Sequence, residues 1–329
     1  MNRITPDRLE TLLRAAARVR VLVVGDAMLD VYLRGVASRI SPEAPVPVVR
    51  ITEEWRSLGG AANVAANVVA LGAACTLAAC VGTDGAGHEL RNTLRDARIA
   101  GDGLIESSVR PTTVKTRVMA RHQQVARFDR ETDDDLDVTT AARLADRVAG
   151  LIPGVDAVIL EDYNKGVLTI AVIEAIIAAA RAAGKPVVVD PKTRSFLDYR
   201  GATVFKPNLI ELESALRERV RYDEPAWMEA MRTRLRCDHL VITLGEEGMA
   251  MMTAAGEYVR IPTVARSVFD VSGAGDTVTA TIAVALATGA SPTEAAVLAN
   301  HAAGIEVGKL GVATVSPDEL RAAVRSGGS

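Results

Sequence analysis

The sequence predicts an α/β fold: a mainly parallel central sheet covered by helices on both faces, three layers in all, with a small β-sheet lid. Three observations carry this reading. Short runs of Val, Leu and Ile alternate with helically periodic segments along most of the 329 residues, and such alternation makes a parallel sheet. Polar residues recur just past the ends of the short runs, at Asp26, Glu161-Asp162, Asp190, Lys206–Asn208 and Thr243–Gly245, where α/β sheets bind their ligands. Two longer segments break the alternation and read as β-strands without helices of their own.

In chain order, Thr5 is a helix cap and Pro6 suits the first helical position, and Leu9, Leu12, Leu13 and Ala16 recur at helical spacing. Residues 19–24 form a near-continuous Val/Leu run ending in Gly25-Asp26, as in a strand buried on both faces. Residues 32–60 lack helical periodicity and hold three prolines. Helix is predicted for 63–71 and strand for 75–81. Residues 112–131 alternate polar with apolar, so the lid is expected at 31–58 and 112–131 of one domain spanning 1–329. It would act as a lid or as a subunit contact. Asp133-Asp134-Asp135 reads as a solvated loop. Helices at 139–151, 170–183 and 209–217 then alternate with strands at 157–160, 187–189, 203–205 and 240–243. Residues 277–288 form an apolar helix with Gly289 as its C′ residue.

Composition removes several function classes. Hydrophobic residues make up 49% and aromatics 3%, so a full-sized core must be built from Ala, Val, Leu and Ile. A net charge of −3 and a pI near 5.9 give no electrostatic footprint for nucleic acid. Three cysteines without a CxxC spacing are neither a disulfide framework nor a zinc site, and read as buried thiols in a reducing compartment. No apolar stretch has the roughly 18 residues a membrane span requires. The amphipathic N-terminus is not a signal peptide, so a cytoplasmic protein is expected.

The chemistry centres on "DVSGAGDTV", residues 270–278. Gly273, Ala274 and Gly275 make a loop suited to an anion at a helix N-terminus, yet the next residue, Asp276, is itself an anion. No GxxxxGK[ST] occurs, since neither Gly184-Lys185 nor Gly308-Lys309 is followed by Ser or Thr, so any ATP is handled without a P-loop. Gly59-Gly60 opens a second helix, with Asn63 as donor and acceptor for a hydroxyl-rich molecule. The first strand ends in "VVGDAMLD" rather than GxGxxG, which disfavours a dinucleotide-binding dehydrogenase.

"GGAANVAANVVALGA" (59–73), "VGTDGAG" (81–87), "KPNLIELE" (206–213) and "DVSGAGDTV" (270–278) together resemble the ribokinase-like (PfkB) carbohydrate kinases, in family order across nearly the whole chain. "GDAMLDVYLRGVASRISPEAPVPVV", "LEDYNKGVL", "DPKTRSFLDYRGATVFKPNLIELE" and "NHAAGIEVGKLGVATVSP" resemble, within that family, the D-glycero-β-D-manno-heptose 7-phosphate kinases of lipopolysaccharide synthesis. The resemblance implies a ribokinase-like fold and ATP-dependent phosphorylation of the anomeric hydroxyl. Asp276 would be the general base and the N–H groups of Gly273, Ala274 and Gly275 the anion hole. Beside a helix N-terminus, Asp276 is expected to keep a low pKa.

For ATP the resemblance implies Asn208 and Glu211, with Glu211 ordering Mg²⁺ through water. Lys206 would sit on a phosphate, Thr243, Gly245 and Gly248 along the nucleotide, and Asn300, Ala303 and Gly304 beside adenine. Asp270 and residues 305–315 resemble the monovalent-cation site of some relatives. Asp30, Gly59, Gly60 and Asn63 are candidates for the sugar hydroxyls, with Glu161 and Asn164 behind them. Lys115, Arg117, Arg121, Lys165 and Lys192 are the cations available for the 7-phosphate. Relatives pair through their lids, which implies a homodimer. A kinase for another sugar, or a sensor of the same fold that has lost catalysis, are the alternatives. The fused adenylyltransferase of some relatives needs an HxGH motif, and the four histidines are scattered. The chain also ends shortly after its last family motif, so kinase activity alone is expected.

Overall fold

The structure, a computed structural model, describes residues 4–326 apart from 122, 266 and 310. Helix α1 (Pro6–Ala16) opens as its sequence suggests: the Thr5 hydroxyl accepts from the Arg8 N–H at 3.2 Å and Pro6 sits in the first turn. β1 (Arg20–Gly25) is followed by a long hairpin, β2 (Ala27–Ile40) and β3 (Pro47–Gly60), which runs directly into α2 (Ala61–Ala70). β4 (Ala74–Ala78) then gives way to β5 (Cys80–Gly82), α3 (Gly85–Asp96) and β6 (Ile105–Ser107). The continuous strand expected over 75–81 is therefore two. At Ala79 the carbonyl is taken by the Ile105 N–H at 2.8 Å, and the chain changes partners from the central sheet to a separate β5–β6 pair.

β7 (Thr113–Ala120) and β8 (Gln123–Arg130) complete the lid, in the order β3-β2-β7-β8. β2 and β7 run parallel and the outer pairs antiparallel. The lid is longer than expected, because β2 and β3 stay paired down to Ala27 and Gly60. His122, between β7 and β8, and Leu310, within the expected cation-site segment, lie outside the described residues. The acidic run at 133–135 is exposed but tethered: Lys165 holds Asp133 at 2.7 Å, and Arg110 donates to the Asp134 carbonyl at 2.8 Å.

The alternation resumes with α4 (Val138–Leu151), β9 (Ala157–Glu161), α5 (Ile170–Ala182), β10 (Val187–Asp190), β11 (Val204–Phe205) and α6 (Leu209–Leu216). α7 (Pro225–Leu235), β12 (His239–Thr243), β13 (Met249–Met252) and β14 (Tyr258–Ile261) follow, and α8 (Ala274–Ala287), α9 (Pro292–Glu306) and α10 (Pro317–Ser326) close the chain. α8 ends at Ala287 with Thr288 as its cap, and Gly289 follows at φ +83°, the C′ glycine expected from the sequence.

The central sheet has the order β14-β13-β12-β11-β10-β9-β1-β4, parallel from β4 to β12, with β13 and β14 an antiparallel edge. Side chains alternate across it. Val21 and Val23 face the layer of α1, α2, α8, α9 and α10, while Leu22 and Val24 face α4, α5 and α7. Both sets are 0% exposed, which is why the strand reads as an unbroken apolar run. Each such side chain contributes about 1.5–3 kcal/mol on burial. The register sets Gly25 against Glu161 and Glu161 against Asp190, bringing the polar strand ends into one row. Among the described residues no helix is long and apolar enough to cross a membrane.

Candidate active site

The N-terminus of α8 faces that row. Gly273 caps it at φ +97°, a left-handed conformation that favours glycine. The Ala274 N–H reaches the Val271 carbonyl only at 3.4 Å, and the helical ladder starts with the Thr277 N–H to the Gly273 carbonyl at 2.9 Å. The first N–H groups therefore stay available, as at any helix start. Asp276, 5% exposed, does not cap its own helix. Its Oδ2 accepts from Asn63 Nδ2 at 2.6 Å and its Oδ1 from the Tyr163 hydroxyl at 2.9 Å. The expected low pKa is corrected here. Burial, with the nearby Asp190 charge, raises it to about 6 against the Asn63 and Tyr163 hydrogen bonds. At neutral pH the carboxylate is still mostly ionised, and a better base than an exposed one.

Behind Asp276 lies a buried charged cluster. Lys206, 2% exposed, pairs with Asp190 Oδ2 at 2.9 Å. Burial works to raise the Asp190 pKa, but Lys206 and Lys192 outweigh it and hold the group below its usual value. Glu161 is 0% exposed, and burial together with the Asp190 and Asp276 charges pushes its pKa up. A Cβ on Gly275 would lie 3.6 Å from Asp190 Oδ2 and 3.8 Å from Lys206 Nζ, so this pair sits against the Gly-rich turn. Asn208 and Glu211 form a capping box at α6: Glu211 N–H to Asn208 Oδ1 at 2.8 Å, Asn208 N–H to Glu211 Oε2 at 2.9 Å. Lys192 Nζ holds Glu211 Oε1 at 2.5 Å.

A cleft of about 620 Å³ opens beside these groups. All of Lys206, Asn208, Glu211, Thr243, Gly245, Gly248, Gly273, Ala274, Gly275, Asp276, Asn300, Ala303 and Gly304 line it. Asn300 donates to the Pro262 carbonyl at 2.8 Å and so anchors the cleft's outer wall. Val268 and Val271, 61% and 68% exposed, give that wall an apolar face.

The sugar candidates lie on the lid side. Asp30 on β2 is 5% exposed and paired with Arg117 on β7 at 2.5 Å. The Gly59-Gly60 pair has a packing cause: a Cβ on Gly59 would fall 2.6 Å from Asp30 Oδ2, and one on Gly60 2.3 Å from the Asp26 carbonyl. Lys115 reaches over the Tyr163 ring at 5.6 Å, and Lys192 over the same ring at 5.2 Å. Three of the candidate cations and polar groups are engaged elsewhere. Lys165 pairs with Glu131 and Asp133, both at 2.7 Å, Asn164 is bonded to Thr193 and Arg194, and Lys192 belongs to Glu211 on the cleft side. Arg121 sits at the turn after β7, donating its N–H to the Gly35 carbonyl at 3.0 Å.

Tyr163 escaped the sequence reading, and Asp26, read there only as a strand-end polar residue, has a structural task. Tyr163 links both lysines to Asp276; its only signal was its place one residue beyond a strand-end Glu-Asp pair. Asp26 accepts from the N–H groups of Tyr163, Lys165 and Val167 at 2.8, 3.0 and 3.1 Å, which shapes the turn that presents Tyr163. Burial and the Asp162 charge raise its pKa to about 6 despite those bonds. Farther along the Gly-rich turn, Asp270 accepts from the Ser272 N–H at 2.9 Å. Glu306 is 0% exposed, and burial raises its pKa to about 8 against a hydrogen bond from the Ala313 backbone, with the Asp270 charge adding to the rise.

Residues 19–319 match the family described as pfkB family carbohydrate kinase. The chain belongs to that family. It is a carbohydrate kinase. The "Bifunctional protein HldE" of Geotalea uraniireducens (strain Rf4) is 46% identical over 318 residues, 96% of this chain and 65% of that protein. The protein of the same name from Azotobacter vinelandii (strain DJ / ATCC BAA-1303) is 47% identical over 312 residues, 94% of this chain and 64% of its own length. The chain thus spans just under two thirds of these relatives. Among solved structures, phosphofructokinase-2 from Escherichia coli in complex with potassium superposes with a TM-score of 0.78 at 20% identity, covering 94% of this chain and 100% of that one. The Arabidopsis thaliana ribokinase complexed with ribose and ATP gives 0.73 at 19%, covering 93% and 99%. These likenesses show a ribokinase-like fold.

Proposed function

We propose that this carbohydrate kinase transfers the γ-phosphoryl group of ATP to the anomeric hydroxyl of D-glycero-β-D-manno-heptose 7-phosphate. The products are heptose 1,7-bisphosphate and ADP, for the heptose of lipopolysaccharide. The observation that carries the chemistry is the placement of Asp276, buried and aimed by Asn63 and Tyr163, one residue past the Gly-rich turn that opens α8. The substrate is supported by "RISPEAPVPVV" and "DYNKG" and by the 46–47% identity to HldE proteins.

Asp276 takes the proton of the acceptor hydroxyl as its oxygen attacks phosphorus. The N–H groups of Gly273, Ala274 and Gly275 and the Lys206 ammonium stabilise the charge on the transferring group. ATP lies along the cleft, its base between the Val268/Val271 wall and Ala303-Gly304 and the remainder past Thr243, Gly245 and Gly248. Mg²⁺ supplies neutralisation of the phosphate charge. Both Glu211 oxygens are already hydrogen-bonded, so Glu211 and Asn208 fit a role of ordering the ion's waters. Asp30, held by Arg117, accepts sugar hydroxyls, and Lys115 and Arg117 are the lid cations best placed for the 7-phosphate.

Asp270 and the buried Glu306 carboxylate support a monovalent cation beneath the Gly-rich turn. Exposed Ile40, Val46, Val125 and Phe128 on or beside the lid support a homodimer through it. Three buried free cysteines support a reducing cytoplasm. ADP release with Mg-ATP tests the reading against heptose 7-phosphate, fructose 6-phosphate, ribose and no sugar. Turnover confined to the heptose phosphate is expected. Turnover on another sugar overturns the substrate, and silence on all with ATP still bound favours a sensor.

A further inference from the structure

We infer that Thr277 and Asn67 are positioning residues, which turn the donor end of the Asn63 amide onto Asp276 through a buried hydrogen-bond chain between α8 and α2. This role rests on the reading of Asp276 as the base, and on no particular sugar. The Thr277 hydroxyl donates to Asn67 Oδ1 at 3.0 Å. Asn67 Nδ2 donates to the Asn63 backbone carbonyl at 3.0 Å and approaches Asn63 Oδ1 at 3.4 Å. Asn63 Nδ2 then donates to Asp276 Oδ2 at 2.6 Å. Each direction is fixed by the one before it. A backbone carbonyl only accepts, so the end of Asn67 that faces it is the NH₂. That leaves Asn67 Oδ1 for Thr277, which therefore donates. The same NH₂ faces Asn63 Oδ1, so the end of the Asn63 amide that reaches Asp276 carries the hydrogens.

Packing alone does not account for these groups. Asn63, Asn67 and Thr277 are 3%, 1% and 1% exposed. Besides the two asparagines, α2 buries only Ala and Val. Asparagine is a poor helix former, and a buried polar pair gains little over apolar groups of the same shape. On α8 the Thr279 and Thr281 hydroxyls turn back to the carbonyls four residues earlier, at 3.0 and 2.7 Å, the usual outlet for a threonine inside a helix. Thr277 instead sends its proton across to α2. The cleft is lined by Asp276 and Val278, on either side of Thr277, but not by Thr277 or Asn67. Their route to the chemistry is through Asn63 and Asp276. An Asn63 amide turned the other way would set its oxygen against the carboxylate and drive the base out of line.

Thr277→Val keeps the shape and removes the proton, whereas Thr277→Ser keeps the hydroxyl. Thr277→Val is expected to lower kcat by about 10-fold, part of the roughly 100-fold that a misplacement of about 1 Å costs. The KM values for ATP and sugar should stay near those of the unaltered chain, and Thr277→Ser should restore kcat. Nitrogen-15 NMR of the ligand-free full chain, labelled at asparagine, reads the contact itself. The Asn63 side-chain amide, assigned by its loss in Asn63→Ala, should lie downfield in the unaltered chain and in Thr277→Ser. In Thr277→Val it should move upfield and broaden. An Asn63 signal unmoved by Thr277→Val overturns the chain, as does an unchanged kcat, even where stability falls. Should Thr277→Val not fold, Thr277→Ala, with the hydroxyl gone and more room left, is read in the same way. No sugar enters the NMR measurement, so a chain that rejects heptose 7-phosphate fails the substrate reading alone.

Discussion

Asp276→Asn is expected to lower kcat by about 10²–10⁴-fold, the range a positioned general base supplies, while the KM for ATP stays near its original value. Asparagine keeps the shape and cannot take the proton. The backbone N–H groups of the Gly-rich turn and the Lys206–Asp190 pair are untouched, so the nucleotide keeps its contacts. The new amide must still meet two donors, Asn63 Nδ2 and the Tyr163 hydroxyl. One of them has to turn, so unfolding is followed alongside the kinetics. A folded variant with unaltered turnover would remove Asp276 as the base.

Lys206→Met is the stability counterpart, expected to cost about 3–5 kcal/mol because it strands the Asp190 carboxylate in the interior. Lys192, 3.6 Å from Asp190 Oδ1, offsets part of that and places the expected loss at the lower end of the range. Adding Asp190→Leu should recover most of the lost stability, since a buried ion pair replaced on both sides is often near neutral. Denaturant unfolding of the single and double variants checks this. A loss under about 1 kcal/mol for the single change would match an exposed pair, and would contradict the burial of Lys206.

Much of this architecture is written in local pattern. The Val/Leu run of β1, the Thr5-Pro6 start of α1 and the Gly289 stop of α8 depend on neighbours a few residues away, so the sequence displays them directly. The strand-end row was legible for the same reason: a parallel sheet aligns the carboxyl ends of its strands wherever they occur in the chain. What was not legible depends on partners far off in sequence. Asp276 has a raised pKa because elements far off in sequence bury it and set Asp190 nearby, against the lowering hydrogen bonds of Asn63 and Tyr163, whereas the helix N-terminus visible in the sequence argues for a low one. The split of 75–81 follows from pairing with β6, and the antiparallel β13–β14 edge from short strands with no helix between them. Gly59 and Gly60, read as candidates for the sugar, also have a packing cause invisible in the sequence, since a Cβ at either would meet Asp30, Met28 or the Asp26 carbonyl. Lys192, read as one of the cations available for the 7-phosphate, is also paired with Glu211, a contact between elements that the sequence does not display.

The central claim is that the phosphoryl group goes to the anomeric oxygen of a sugar that already carries a phosphate. Phosphorus NMR of the product from heptose 7-phosphate and Mg-ATP tests it most directly. The expected spectrum keeps the original phosphate signal and adds a second phosphate coupled to the anomeric proton. A new phosphate on any other carbon, or inorganic phosphate alone, would contradict the account.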